Sequence, residues 1–114
     1  MITIRISGII ASWEMDSEEN VTPQTLKKSL DAANGDDVLI LINSPGGSVF
    51  QGLEMFSMIQ NHPGHTETRA VSLAASMGSI LTMAGNKKSV ESTAMFFIHN
   101  AQGVGFGDFR VMEK

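Results

Sequence analysis

Ser76 stands in Ala74-Ala75-Ser76-Met77-Gly78-Ser79, where an apolar, strand-like run gives way to a short helical one. A serine at such a junction has two uses. Its hydroxyl can cap the helix. It can also be a nucleophile, because the unpaired N–H groups at a helix start favour negative charge on a nearby oxygen. A hydroxyl is a poor nucleophile near neutral pH, so the second use needs a base beside it. His99 closes the run Met95-Phe96-Phe97-Ile98-His99 and is the candidate base. Alternation along that run does not say which face the imidazole takes, and a histidine at a strand end is often only a hydrogen-bonded residue. Ser76 and His99 nevertheless both fall at the carboxyl ends of strands. In parallel sheets those ends line one edge, and sites collect there.

A third strand end carries two glycines. The run Val38-Leu39-Ile40-Leu41-Ile42 stops at Asn43-Ser44-Pro45 and continues as Gly46-Gly47. This reads either as a tight turn or as a place where a backbone N–H stays free and close to a ligand. On the second reading, the N–H groups of Gly47 and Met77 form a pair of donors for a tetrahedral intermediate, which acyl transfer requires. Ser76, His99, Gly47 and Met77 would then be nucleophile, base and oxyanion hole. The GxSxG elbow of the α/β-hydrolases is absent, since Ala74 stands where its first glycine would be.

The elements that must position these residues follow from periodicity. Ile2, Ile4 and Ile6 alternate with polar residues, the pattern of a half-exposed strand. An acidic loop follows, with Trp13 expected to cover the core edge. Thr22-Pro23 reads as a helix start, Leu26, Leu30 and Ala33 recur at helical spacing, and Gly35 ends the helix. The run 37–43 looks like a strand buried on both faces. In the next helix Val49, Leu53 and Phe56 mark the apolar face, and Phe50, Met55 and Ile59 widen it. That helix is expected to end before His62-Pro63-Gly64. A strand at 68–73, a short helix closed by Gly85, a strand at 94–100, a glycine loop and the start of a helix at 108–114 complete the order. Alternating β and α units imply an α/β fold with a mostly parallel sheet. The last helix has barely two turns, so the chain reads as one domain over 1–114, the N-terminal portion of a longer one, incomplete at the C-terminus.

Three stretches, 42–60 around Ser-Pro-Gly-Gly, 74–85 around Ala-Ala-Ser-Met and 95–103 around Phe-Ile-His-Asn, together resemble the Clp-type serine peptidases on the crotonase-like fold. The resemblance covers roughly residues 2 to 112. It implies Ser76 as nucleophile, His99 as base, and the N–H groups of Gly47 and Met77 as the oxyanion hole. Substrate would lie extended beside Ser48-Val49 and the Ala101-Gln102-Gly103 loop, adding a strand by main-chain hydrogen bonds. The loop 8–20 looks more like the phage head maturation (prohead) proteases than the cellular proteolytic subunit. The family's triad acid lies beyond a long helix after the glycine loop. No residue of 1–114 aligns with it, and Asp108 looks like a helix cap.

Rival readings remain. Ser76 with Lys87 or Lys88 would make a Ser–Lys dyad, as in signal peptide peptidases, although these lysines sit after Gly85-Asn86 in what reads as a solvated turn. An inactive crotonase-fold assembly domain is a second alternative. Gly103, Gly105 and Gly107 approach a dinucleotide loop, but Asp108 occupies its third glycine position. His62, His65 and Glu67 lack a matching ligand set for a metal.

Composition narrows the partners. The net charge is −4 with no Lys/Arg cluster longer than two, which argues against nucleic acid. The absence of cysteine removes disulfides, thiolate zinc sites and a thiol nucleophile. No apolar stretch reaches the roughly 18 residues of a membrane span, and the N-terminus lacks a signal-peptide layout. Taken with the resemblance, the expectation is a cytoplasmic Clp-type serine endopeptidase domain truncated before the triad acid, ATP-independent by itself and without metal or cofactor, with residues 1–114 not expected to suffice for activity. It would act on polypeptides, with a capsid or scaffold protein as substrate and the bacterial host cytoplasm as location if phage-encoded. Exposed strand edges imply a homo-oligomer.

Overall fold

The computed structural model describes residues 1–12 and 20–97. Along the chain run β1 (Ile2–Ser7), β2 (Ile9–Ile10), β3 (Asn20–Val21), α1 (Pro23–Ala33), β4 (Val38–Ser44), α2 (Val49–Gln60), β5 (Thr66–Ala75), α3 (Met77–Thr82), β6 (Lys87–Val90) and β7 (Met95–Phe97). The main sheet has five strands in the order β1-β4-β5-β6, with β7 also on β5, and every pairing is parallel. β2 and β3 form a separate two-stranded ladder. The α/β expectation and the parallel sheet are both present.

From β1 through α1 to β4, α2, β5, α3 and β6, the chain steps across the sheet in one direction. Crossovers of one hand then place all their helices on one face. The core shows this: Ile4, Ile6, Val38, Ile40, Ile42, Ala70 and Ala74 meet Leu26, Leu30, Ala33, Met55, Ile59, Met77 and Leu81 in one cluster. Fully burying an Ile or Leu contributes about 1.5–3 kcal/mol, so these contacts dominate the stability of the sheet. The same geometry corrects the reading of β4. Val38, Ile40, Ile42 and Ser44 are fully buried, but Leu39 and Leu41 are half-buried and Asn43 is exposed, because no helix of this group covers the second face.

α1 begins as its sequence indicates. Thr22 caps it, Thr25 returns the bond to complete a capping box, and Pro23 opens the first turn. Asn34 closes it in the left-handed region, followed by Gly35 at φ 85°. α3 ends at Thr82, earlier than Gly85, because the Thr68 hydroxyl donates to the Thr82 carbonyl at 2.5 Å and accepts the Gly85 N–H.

Two helical and strand expectations need correction. In α2 the buried residues are Gly52, Met55 and Ile59, with Phe56 packed against the core. Val49, Phe50 and Leu53 are 48%, 82% and 52% exposed, so they do not form the inward face. Lys87 and Lys88 are not in a turn. They open β6, paired with Glu67 and Thr68 at the start of β5, and both are exposed.

Beside them, Arg69 pairs with Glu67 at 2.8 Å and donates a further hydrogen bond to Ser89 at 3.3 Å. The Arg69 hydrogen bond holds the Glu67 carboxyl below its ordinary range, against the upward pull of burial, with the Lys87 charge adding to the lowering. A depressed folded-state value stabilises the fold above the ordinary carboxylate range, and this contribution is lost as pH falls through the folded value. The wild-type protein is therefore expected to lose stability below about pH 4 more steeply than Glu67→Gln. Urea titrations at a series of pH values measure this, and parallel acid limbs would contradict it.

Candidate active site

The carboxyl ends of β4, β5 and β7 come together. β5 pairs with β4 through Ala74 opposite Ser44, and with β7 through Leu73–Ala75 opposite Met95–Phe97. Ser76, the next residue, donates its N–H to the Phe97 carbonyl at 3.2 Å. His99 stands two residues further along the sequence and, like Ala101, Gln102 and Gly103, lies outside the described residues. So do Trp13 and the helix expected at 108–114.

Ser76 is the N-cap of α3 by position only. Its backbone sits at φ 54° and ψ −123°, and its side chain makes no cap hydrogen bond. Ser48 provides the contrast at the other strand-to-helix junction. It has an ordinary extended backbone, φ −64° and ψ 126°, and its hydroxyl accepts the Gln51 N–H and also bonds the Gln51 side chain. A non-glycine residue held in so sparsely populated a region costs of order 1–3 kcal/mol, and such residues cluster at functional sites. The capping use of Ser76 is thus excluded by geometry, and its hydroxyl is left for other work.

Strain of this kind must be held in place. The Ser76 carbonyl accepts three hydrogen bonds, from the Ser79 N–H at 3.0 Å, the Ile80 N–H at 3.2 Å and the Ser79 hydroxyl at 2.6 Å. Gly78 lets the first turn of α3 lie against β4, since a Cβ there would sit 2.6 Å from the Ser44 carbonyl oxygen. Met77 is buried, its side chain lying on Gly52 of α2.

The glycine turn is sewn to β2 from the other side. Ile10 donates its N–H to the Gly46 carbonyl at 2.9 Å and accepts the Ser48 N–H at 2.9 Å, making a parallel bridge to Gly47. The buried Ser44 hydroxyl accepts the Gly46 N–H at 3.1 Å. In a trans peptide the carbonyl and the N–H point in opposite directions. Because the Gly46 carbonyl is bound by β2, the Gly47 N–H faces away from β2. Among the described residues neither the Gly47 nor the Met77 N–H donates a backbone hydrogen bond.

Both glycines are required, for different reasons. Gly47 has φ 143°, and a Cβ there would overlap the Ile10 carbonyl oxygen. Gly46 has φ 107°, and a Cβ there would stand 2.8 Å from the Ser76 Cβ and 3.2 Å from the Met77 nitrogen. So the turn abuts the Ser76–Met77 junction through Gly46, while the collision at Gly47 is with β2 rather than with anything in the cleft. Sequence reasoning singled out Gly47 but not Gly46, Ile10, Ser44 or Ser79, whose parts depend on contacts between remote segments or on one hydroxyl's direction.

At the proposed substrate edge, Ser48 has its N–H committed to Ile10 and its hydroxyl to α2, while the Val49 side chain is exposed at the first turn of α2. The main-chain groups left facing away from β2 are those of Gly47. The Ser–Lys dyad does not assemble: Lys88 pairs with Thr68, eight residues of β5 from Ser76, or about 26 Å at the usual strand rise. His62 bonds the Asp36 carbonyl through its ring at 2.7 Å and Glu67 is paired with Arg69, so these two side chains are committed elsewhere. Among the described residues no three His, Cys, Asp or Glu side chains gather as a metal site, and no helix is long and apolar enough to cross a membrane.

The parallel α/β sheet has a strained serine and two constrained N–H groups at its carboxyl edge, and comparison with known proteins gives the family of the chain. The chain belongs to the Clp protease family, whose model matches residues 4–113. Among its relatives is ATP-dependent Clp protease proteolytic subunit 1 of Synechococcus sp. (strain CC9902), 41% identical over 62% of this chain and 37% of that protein. The protein of the same name from Prochlorococcus marinus (strain NATL2A) is 40% identical over 77% of this chain and 45% of its own length. That of Leifsonia xyli subsp. xyli (strain CTCB07) is 35% identical over 79% and 47%. The chain therefore spans less than half the length of these relatives.

Proposed function

We propose that this chain carries the nucleophile and oxyanion hole of a Clp-type serine endopeptidase. The observation that supports this most is Ser76 itself, strained at φ 54°, without a cap bond, beside two N–H groups that make no backbone hydrogen bond among the described residues. The Ser76 Oγ attacks the scissile carbonyl while His99 takes its proton. The resulting oxyanion accepts from the Gly47 and Met77 N–H groups. Collapse expels the amine, which receives the proton from His99 and leaves an acyl-enzyme. Water, deprotonated by the same imidazole, then releases the acid and restores Ser76.

The substrate is an extended polypeptide on this reading, bound in part by the main chain at Gly47, with Ser48-Val49 and Ala101–Gly103 flanking it. The relatives carry the name of an ATP-dependent protease's proteolytic subunit, and on this reading the chain is part of such a subunit, working in the cytoplasm. A narrower role on capsid or scaffold protein rests on the loop 8–20 alone, and the relatives cited carry no such name. The direct test treats the full-length protein with a fluorophosphonate and maps the adduct by mass spectrometry. The adduct is expected on Ser76. Labelling confined to other residues, or none, would overturn the reading.

A further inference from the structure

The geometry points to Ser79 as a positioning residue for the oxyanion hole, acting through the peptide that joins Ser76 to Met77. This inference rests on the proposed roles of Ser76 and Met77. The Ser79 side chain is fully buried, and its oxygen lies 2.6 Å from the Ser76 carbonyl oxygen. A carbonyl only accepts, so the hydroxyl must donate. The carbonyl it holds belongs to the same rigid peptide as the Met77 N–H, and the two point in opposite directions. Fixing one fixes the other.

The need for such a hold follows from the Ser76 backbone. At φ 54° and ψ −123° it lies outside the main regions allowed to residues with a Cβ. Turning the 76–77 peptide over by about 180° would carry the Ser76 ψ to roughly +57°, in the left-handed helical region, but would turn the Met77 φ by the same amount, out of the helical range, so the flip exchanges strain at Ser76 for strain at Met77. That flip would swing the Met77 N–H out of the site and put a carbonyl oxygen, a repulsive group, where the oxyanion forms. Three bonds to the Ser76 carbonyl oppose it. Two come from the α3 backbone and would form with any non-proline residue at position 79. The third is the hydroxyl, and it is the one set by residue type. Gly46 has its own counterpart: Ile10 holds its carbonyl at 2.9 Å, and so directs the Gly47 N–H. Each donor peptide is thus held from behind, one by the Ile10 backbone and one by the α3 backbone together with the Ser79 hydroxyl.

The test compares wild type, Ser79→Ala, Ser79→Cys and Ser76→Ala in the full-length protein, with rates expressed per fluorophosphonate-labelled site. Ser79→Ala is expected to lower kcat about tenfold, less than outright loss of an oxyanion donor, with KM unchanged. Affinity for a peptide aldehyde, which forms a tetrahedral oxyanion on the serine, should fall by the same factor. Ser79→Cys, a weaker donor of similar size, should fall between and gives the answer if the alanine variant does not fold. Unchanged kcat and aldehyde affinity overturn the inference. So does a loss confined to labelled fraction and thermal midpoint with kcat per site unchanged, which is the outcome of a merely structural hydroxyl. Should Ser76→Ala keep its turnover, or wild type show neither labelling nor turnover, the parent reading fails and this one with it.

Discussion

Ser76→Ala is expected to lower peptide turnover by roughly 10⁶-fold, the scale of losing a serine that works with a base. The thermal midpoint should stay within about 2 °C of wild type, because the hydroxyl makes no cap bond whose loss would cost stability. Ser48→Ala supplies the internal control. Its hydroxyl does cap α2, so that variant is expected to lose about 1 kcal/mol of stability. The two serines occupy equivalent junctions and should respond in opposite ways, one through kinetics and one through unfolding. Turnover assays and calorimetry on both variants decide it. A Ser76→Ala protein that turns substrate over at the wild-type rate, or that loses stability as a capping variant does, would remove Ser76 from the mechanism.

Gly47→Ala should reduce turnover by about 10²-fold or more, as for loss of one oxyanion donor. A Cβ there overlaps the Ile10 carbonyl oxygen, and the backbone at φ 143° disfavours any side chain. The turn must shift away from β2, and the Gly47 N–H shifts with it. Gly46→Ala reaches the same end from the opposite side, by pushing against the Ser76 Cβ. Far-UV circular dichroism separates lost geometry from lost fold. Full turnover in a folded Gly47→Ala protein would reduce the glycine pair to a turn.

β1 and α1 could be read from periodicity, because each buries a regular stripe, and β4 from its apolar run, although only one of its faces is fully covered. The inward face of α2 could not. Its central contact is Gly52, which carries no hydrophobic signal yet is where the Met77 side chain rests. Val49, Phe50 and Leu53 looked like the core stripe and instead face outward. β6 was hidden for a related reason: its burial is slight and its first residues are lysines, so neither alternation nor apolar content marks it. The two-residue ladder of β2 and β3 is too short for any period. At the site, residue types and spacing drew attention to Ser76, Gly47 and Met77 as candidates. That Ser76 does not cap α3 turned on a backbone angle that composition does not encode. The hold of Ile10 on the glycine turn is a contact between distant segments, invisible along the chain.

That hold bears on when the site can exist during synthesis. Ile10 leaves the ribosome well before Gly46, and Gly46 before Ser76. The bonds between Ile10 and the glycine turn require β1 and β4 to be paired, and the approach of Gly46 to Ser76 requires β4 to be paired with β5. Parallel pairings across crossovers are slow to form because a long loop must close before any contact rewards it. A nascent chain that has delivered its glycine turn but not β5 lacks Ser76, the proposed nucleophile. One that has delivered Ser76 but not seated β1 has a serine with its donors unaligned. On the proposed function, the site is assembled only with the last of these long-range pairings, so a half-made molecule has no aligned nucleophile and donors.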